Sequence, residues 1–500
     1  MESVRRKSLG PDGNQLIAGA NQKGIPLLWD RYESQLPLDG FAANGLTCHD
    51  CLYGPCRINP FGDKPTQGIC GADRPQVVLN YIFQSVKKGV LESIQQLGLS
   101  AAMEKVSEAM ILPNPHFADK NYLKISMRNL LKLGKIQYQL SEQAAKIIPP
   151  KINSPSSQSY LDLNKGANIF LERGASISLV ATLLQAFQKQ KTDLRLLVGE
   201  GSEHLRKWGA YVISLGHPEL LLLTGGIDAF VTHGMGREPY LVDLAGQLGI
   251  EVFRTGIEPG RMPVLATSIA RKAWQAFQMR LKSGEDPRPL LLQLPEERNT
   301  NKLFKKAKKV EALLKAKKLK GAVILIGEGN VKQTFFERTG TIIEKLLKED
   351  VLVFVGGGLF ACQPILENLL KPETGKNLRD LLEELQESSP LFGLGSAYEL
   401  SRVIEFLSSW DGRRGLRGSH ILVSFPEINH WSSIALSFGF LSLGIPVQIG
   451  TPLPFWGSPE LTEVFLKELK KISGAEFLIA PSLPGPEEQA EELLRKLSKR

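Results

Sequence analysis

Residues 321–358 read GAVILIGEGNVKQTFFERTGTIIEKLLKEDVLVFVGGG. Two short apolar runs, GAVILIG and VLVFVGGG, flank a segment of helical length, the signature of a strand, a crossover helix and a second strand. The pattern continues downstream through HILVSF (420–425), IPVQIG (445–450) and EFLIAP (476–481). Upstream it recurs in ANIFL (167–171), LRLLVG (194–199), IDAFVTH (227–233) and IEVFRTG (250–256). Strands that alternate with helices predict parallel sheets flanked by helices. Before them, 79–112 and 121–148 carry amphipathic helical periodicity. They end at the breaker-rich PPKINSPSSQS, residues 149–159. The expected fold class is therefore α/β: a helical domain (1–165), then two Rossmann-like parallel-sheet domains (166–290 and 291–500). Sites in open α/β sheets form at the carboxyl ends of strands. That directs attention to the loops 199–202, 233–238, 327–330, 356–360 and 393–397.

Composition narrows the class. A 500-residue chain, 42% hydrophobic and 23% charged, is that of a multidomain globular protein. No apolar run is long enough for a membrane span. MESVRRKSLGPDGNQ has no apolar stretch after its basic residues, so no secretory signal is expected and the cytoplasm is the expected compartment. The net charge is +9, and much of the excess lies in residues 301–321, NKLFKKAKKVEALLKAKKLKG. Apolar residues recur there at helical spacing and lysines take the other face. This reads as a solvated face, the alternative being a docking face for an acidic partner. No nucleic-acid motif accompanies the lysines. The glycine-rich loops GEGSEHLRKWG, GGGLFACQ and GLGSAYEL lack the full dinucleotide fingerprint and are explained by tight turns.

Four of the five cysteines crowd into one stretch, TCHDCLYGPCRINPFGDKPTQGICGAD (47–73). The spacing is Cys48-x2-Cys51-x4-Cys56-x13-Cys70. In a reducing compartment such a cluster reads as metal ligands rather than disulfides. Thiolates suit zinc or iron–sulfur. A zinc site would favour two C-x2-C knuckles and only one is present, while flanking glycines let backbone amides approach cluster sulfurs. Arg57 either supports such a site electrostatically or packs its loop.

LLWDRYESQLP followed by CHDCLYGPCRINPFGDKPTQGICGAD resembles the amino-terminal segment of the nickel-dependent anaerobic carbon monoxide dehydrogenases, which belong with the hybrid cluster proteins. TGGIDAFVTH, KLKGAVILIGEGN, KEDVLVFVGGGLFAC, LGSAYELSR and LGIPVQIGTPLPFWGS extend the likeness along most of the chain, with the region near 100–160 shortened. The resemblance implies that Cys48, Cys51, Cys56 and Cys70 hold one [4Fe-4S] cluster that relays electrons. It also implies sites that the sequence no longer equips. Two cysteines that bridge the family's subunits through a cluster correspond to Asp39 and Thr47. The cysteines of the nickel–iron–sulfur cluster correspond to Gly199, Gly236, Glu328, Gly358 and Ala397, its histidine to Glu172, and a lysine used on carbon dioxide to Ser432. The helix after the relay motif, KKGVLESIQQLGL, has none of the family's proton-transferring histidines. Only Cys362 remains outside the relay set, and it reads as a buried core residue.

The resemblance therefore implies an iron–sulfur protein without the nickel cluster, acting as an electron-transfer or scaffold subunit beside a ferredoxin or within a larger redox complex. A homodimer would have no bridging cluster. The alternatives are an active carbon monoxide dehydrogenase, a structural role for the cluster, or an enzyme with new chemistry in the emptied cavity. For the last, Glu172, Glu200, His204, His233, Glu238 and Glu328 are candidate carboxylate–imidazole metal ligands.

Overall fold

The computed structural model describes residues 7–8, 10–99, 102–109, 120–147, 159–190, 193–233, 238–255, 262–284, 286–287, 290–292, 298–332, 336–408, 420–479 and 485–498. A two-stranded antiparallel hairpin, β1 (Thr47–Cys48) and β2 (Cys56–Arg57), sits in the cysteine segment. The middle of the chain forms β3 (Ser159–Leu161), then a parallel sheet of β4 (Ala167–Leu171), β5 (Leu194–Val198), β6 (Tyr211–Val212), β7 (Ala229–His233) and β8 (Val252–Thr255). Its order is β6-β5-β4-β7-β8, and β9 (Leu290–Leu292) returns to pair with β3. The carboxyl-terminal sheet is again parallel: β10 (Gly321–Ile326), β11 (Val351–Gly356), β12 (Leu391–Gly395), β13 (Ile421–Phe425), β14 (Val447–Ile449) and β15 (Phe477–Ile479). Its order is β12-β11-β10-β13-β14-β15. Both sheets are doubly wound, and each reverses direction once, between β4 and β7 and between β10 and β13.

Strands covered on both faces read as near-continuous apolar runs, and β4, β10, β11 and β13 are buried at every residue, with Asn168 and Ser424 as their buried polar members. Two small residues explain how the helical region joins the carboxyl-terminal domain. Gly134, on the helix Lys120–Ile147, lies against the Phe438–Gly439 backbone of the helix Trp431–Ser442. Gly89, on the helix Arg74–Leu97, lies against the backbone of Trp431. A Cβ at either position would collide with main chain, so only glycine permits these crossings. The helix Pro11–Gln22 instead joins the core of the middle sheet, through Leu16 and Ala20 with Leu220 and Leu221.

The lysine-rich stretch differs from the single helix that its periodicity suggests. It folds as two helices, Arg298–Lys305 and Ala307–Lys315, with Lys306 between them. Lys306 and Lys309 both reach Glu384, at 3.3 and 2.9 Å, and Lys302 reaches Glu387 at 2.6 Å. Part of the basic face is therefore neutralised by the neighbouring helix Lys376–Leu385 and its end.

Candidate functional site: a surface cysteine segment and a buried crevice

The hairpin places Cys48 opposite Cys56. Gly54 makes the turn between them possible, because a side chain there would crowd the Cys56 amide at 3.2 Å and the Cys48 carbonyl at 3.4 Å. The chain then returns so that the Ile69 amide donates to Cys56 Sγ at 3.4 Å. Gly68 lies beside the same sulfur. Cys56 is buried, Cys48 half-buried, and Cys51 and Cys70 are exposed. Burial, together with the Asp50 carboxylate and the neighbouring Cys56, pushes the Cys48 thiol up to about 11. Thiolate donors with a backbone amide aimed at one sulfur are chemically suited to an iron–sulfur centre. The four sulfurs are nevertheless not closed around one point: among the described residues no three His, Cys, Asp or Glu side chains converge to hold a metal ion.

Arg57 stacks over the Phe41 ring at 4.4 Å. Asp39 caps the helix Gly40–Ala43, accepting from the Phe41 amide at 2.9 Å. Thr47 lies in β1. Around the thiols, Leu52, Tyr53, Phe61 and Ile69 are all exposed.

The second region lies between the sheets, where the carboxyl ends of their strands face each other. Arg173 after β4 and Glu328 after β10 form an ion pair of 3.0 Å between the two domains. His430 Nε2 stands 3.6 Å from the other oxygen of Glu328. The Arg173 guanidinium lies over Gly201, whose φ of +86° and missing side chain both require glycine. Gly358 opens the chain at a helix start, and a Cβ there would stand 3.5 Å from both the Glu328 Cα and the Glu200 carboxylate. Glu200 Oε1 accepts from Ser214 Oγ at 2.6 Å, and that hydroxyl is 2.7 Å from Cys362 Sγ. Burial lifts the carboxyl groups of Glu200, Glu203 and Glu427 to about 7 and pushes the Cys362 thiol up.

The expected positions thus come together. Gly199 lines a crevice of about 500 Å³ on one side of the Arg173–Glu328 pair. Glu328, Ala397 and Ser432 line a small void of about 20 Å³ on its other side. Gly358 abuts Glu328. Gly236 lies outside the described residues, as does the side chain of His233. The candidate carboxylate–imidazole ligands are already engaged elsewhere. Glu172 accepts from Thr232. His204 packs edge-on against Tyr398, and burial holds its imidazole down at about 3 and therefore neutral. Glu238 bonds His217 Nε2 at 3.1 Å.

Sequence reasoning missed the groups that shape this crevice. His217 sits between Glu219 and Glu238. Burial alone would depress its pKa, but its hydrogen bonds to the two carboxylates overcome this and lift it to about 9. Glu219 is fully buried, accepting the Leu28 amide at 2.8 Å and pairing with Arg31. Its signal was the HPE triplet at 217–219, a helix start carrying an acid, but nothing in the sequence announces Arg31 as its partner. Where the resemblance implies a histidine ladder, a neutral network is found. Gln137 donates to Ser93 at 2.8 Å, and the Tyr398 hydroxyl bonds Gln96, all four side chains being buried.

Comparison with known proteins gives one consistent answer. No protein-family model matches. Carbon monoxide dehydrogenase 2 of Carboxydothermus hydrogenoformans is 23% identical over 635 aligned positions, covering 100% of this chain and 99% of the relative. The alignment is longer than the chain, so the relative carries extra segments. Carbon monoxide dehydrogenase of Rhodospirillum rubrum is 40% identical over 95 residues, covering 19% of this chain and 15% of its own. Among solved structures, carbon monoxide dehydrogenase IV of C. hydrogenoformans superposes with a TM-score of 0.77 at 19% identity, covering 98% of this chain and 99% of that one. A carbon monoxide dehydrogenase from Thermococcus sp. AM4 gives 0.71 at 18% identity, over 97% and 95%. In sequence over its full length, and in the pairing of two doubly wound sheets behind a helical cysteine-bearing region, the chain is similar to the anaerobic carbon monoxide dehydrogenases.

Proposed function

We propose that this protein is an iron–sulfur member of the family that holds one [4Fe-4S] cluster through Cys48, Cys51, Cys56 and Cys70, and serves electron transfer or assembly rather than carbon monoxide oxidation. The observation that carries this reading is the contrast in side chains between the two regions. The surface segment keeps four thiols, with exposed Leu52, Tyr53, Phe61 and Ile69 beside them, an apolar face of the kind that meets another protein. The crevice offers no side-chain ligand atom at Gly199, Gly358 or Ala397, and Glu328 is engaged by Arg173 and His430. When bound, the cluster would supply one-electron transfer. Its redox partner is a ferredoxin or a centre in a larger complex, and a homodimer would have no bridging cluster because Asp39 and Thr47 stand at those positions. Domains spanning 1–165, 166–290 and 291–500 and a cytoplasmic location complete the reading.

The competing reading, an active carbon monoxide dehydrogenase, is favoured by the names of the relatives. Anaerobic purification with iron, sulfide, nickel and zinc analysis separates the two, followed by viologen reduction under carbon monoxide after loading with iron and nickel. About four irons per chain with a reducible spectrum and no turnover support the proposal. Turnover that tracks bound nickel overturns it, and so does stoichiometric zinc without iron.

A further inference from the structure

We infer that the crevice between the two sheets is a binding site for a small organic anion, a carboxylate or phosphate carried on an apolar body. The site lies where both sheets reverse direction. Arg173 follows β4 and Glu238 follows β7, while Gly329–Lys332 follow β10 and Asn429–His430 follow β13. Each reversal opens a gap at the strand ends, and here the two gaps face one cavity of about 500 Å³, the size that encloses a small organic molecule.

The walls are of two kinds. Leu28, Trp29, Ile213, Leu221 and Tyr240 form an apolar side. The opposite side carries Arg173, Lys332, Asn429 and His430. The loops are held in place without a ligand: Asn330 Nδ2 donates to the Ile428 carbonyl at 2.6 Å and Asn429 Nδ2 to the Gly329 carbonyl at 2.7 Å.

The charge balance selects the sign. Each ionised acid at or behind the wall already faces a cation: Glu219 faces Arg31, Glu328 faces Arg173, and Glu238 faces His217. The remaining carboxyl, Glu200, accepts from Ser214 Oγ at 2.6 Å. Lys332 makes no ion pair among the described residues and stands at the exposed mouth. The cavity thus presents Arg31, Arg173 and Lys332 beside an apolar wall. This inference does not depend on the iron–sulfur proposal, since no cysteine of the surface segment lines the cavity.

The test uses the full chain, purified anaerobically and titrated by calorimetry and thermal shift with four probes of similar shape: 3-phenylpropionate, phenyl phosphate, 3-phenylpropanol and 3-phenylpropylamine. At least one anion should bind ten-fold or more tightly than the alcohol, and the amine should not bind. Which anion binds better identifies the headgroup. Lys332→Ala should weaken binding several-fold. Val331→Trp, at a partly buried loop position on the rim of the cavity, should block binding. Arg173→Gln should weaken it ten-fold or more; if that variant fails to fold, the two rim variants still decide. Binding of no probe, equal binding of alcohol and acid, or binding unchanged in both rim variants would overturn the inference.

Discussion

The cysteine segment and the inter-sheet crevice follow opposite physical rules. The segment is exposed and held by turns, and its reactive groups are sulfurs with few protein partners beyond the Ile69 amide and Asp50. The crevice is buried and built on strand ends, and its buried charged side chains are paired with one another. A buried charge must be paired to be tolerated, and the pairs Arg173–Glu328 and His217–Glu238 do that. The lesson is that a buried crevice tolerates many charged side chains when they neutralise one another there, whereas an exposed segment needs no such pairing.

The largest expected effect separates the regions outright. Cys51→Ser and Cys56→Ser should each deplete bound iron and bleach the visible absorption of anaerobically prepared protein, whereas Cys362→Ser should leave both intact. Equal loss in Cys362→Ser would break the comparison, because it would give the crevice a share in the metal.

Glu328→Ala comes next. Leaving Arg173 unpaired between the domains should cost about 3 kcal/mol in denaturant unfolding, with iron content unchanged. A change below about 0.5 kcal/mol would mean that water in the crevice already solvates the arginine.

An effect of similar size follows from pH. Glu200, Glu203 and Glu427 hold protons to about 7 when folded, above their unfolded value of 4.5, so stability falls as pH rises from about 4.5 through 7. His217 acts in the same direction: its contribution is complete below 6.5 and is lost as pH rises through about 9. Glu200 faces Glu328, His217, Arg173 and the Cys362 thiol across the crevice. Glu200→Gln should remove its part of the slope, roughly 3 kcal/mol between pH 5 and 8. An unchanged slope would place the titration elsewhere.

The smallest effect is expected on the lysine-rich helices. Lys306→Ala and Lys309→Ala should each shift stability by less than about 1 kcal/mol, because their pairing with Glu384 is solvent-exposed. If either variant abolished salt-sensitive association with an acidic electron carrier, the face would be a docking surface as well as a solvated one.

The parallel sheets were legible because strands buried on both faces must be apolar runs, and GAVILI and VLVFVG are that. The cysteine hairpin was legible as a cluster of thiols because their spacing is local in sequence. The convergence of Gly199, Glu328, Gly358 and Ala397 could be anticipated only through family resemblance, since these residues come from four strand ends of two sheets. The ion pairs were not legible at all. Arg31 with Glu219 and Arg173 with Glu328 join residues far apart in sequence, and a lone Arg or Glu carries no mark of burial. The break at Lys306 was missed for another reason: apolar periodicity runs through it, and tertiary packing decides where such a helix ends.

The cysteine segment also rests on distant chain. Gly45 lies against Pro454, the carbonyl of Asn44 against Gly457, and Arg74 pairs with Glu460. During synthesis from the amino terminus, all four thiols of the segment leave the ribosome long before residues 454–460 exist. The segment is therefore made without its brace. If it holds the proposed cluster, early insertion would meet the unbraced segment and late insertion the braced hairpin. A nascent chain halted before residue 454 would distinguish these orders of assembly, because it carries every cysteine of the segment and none of its brace.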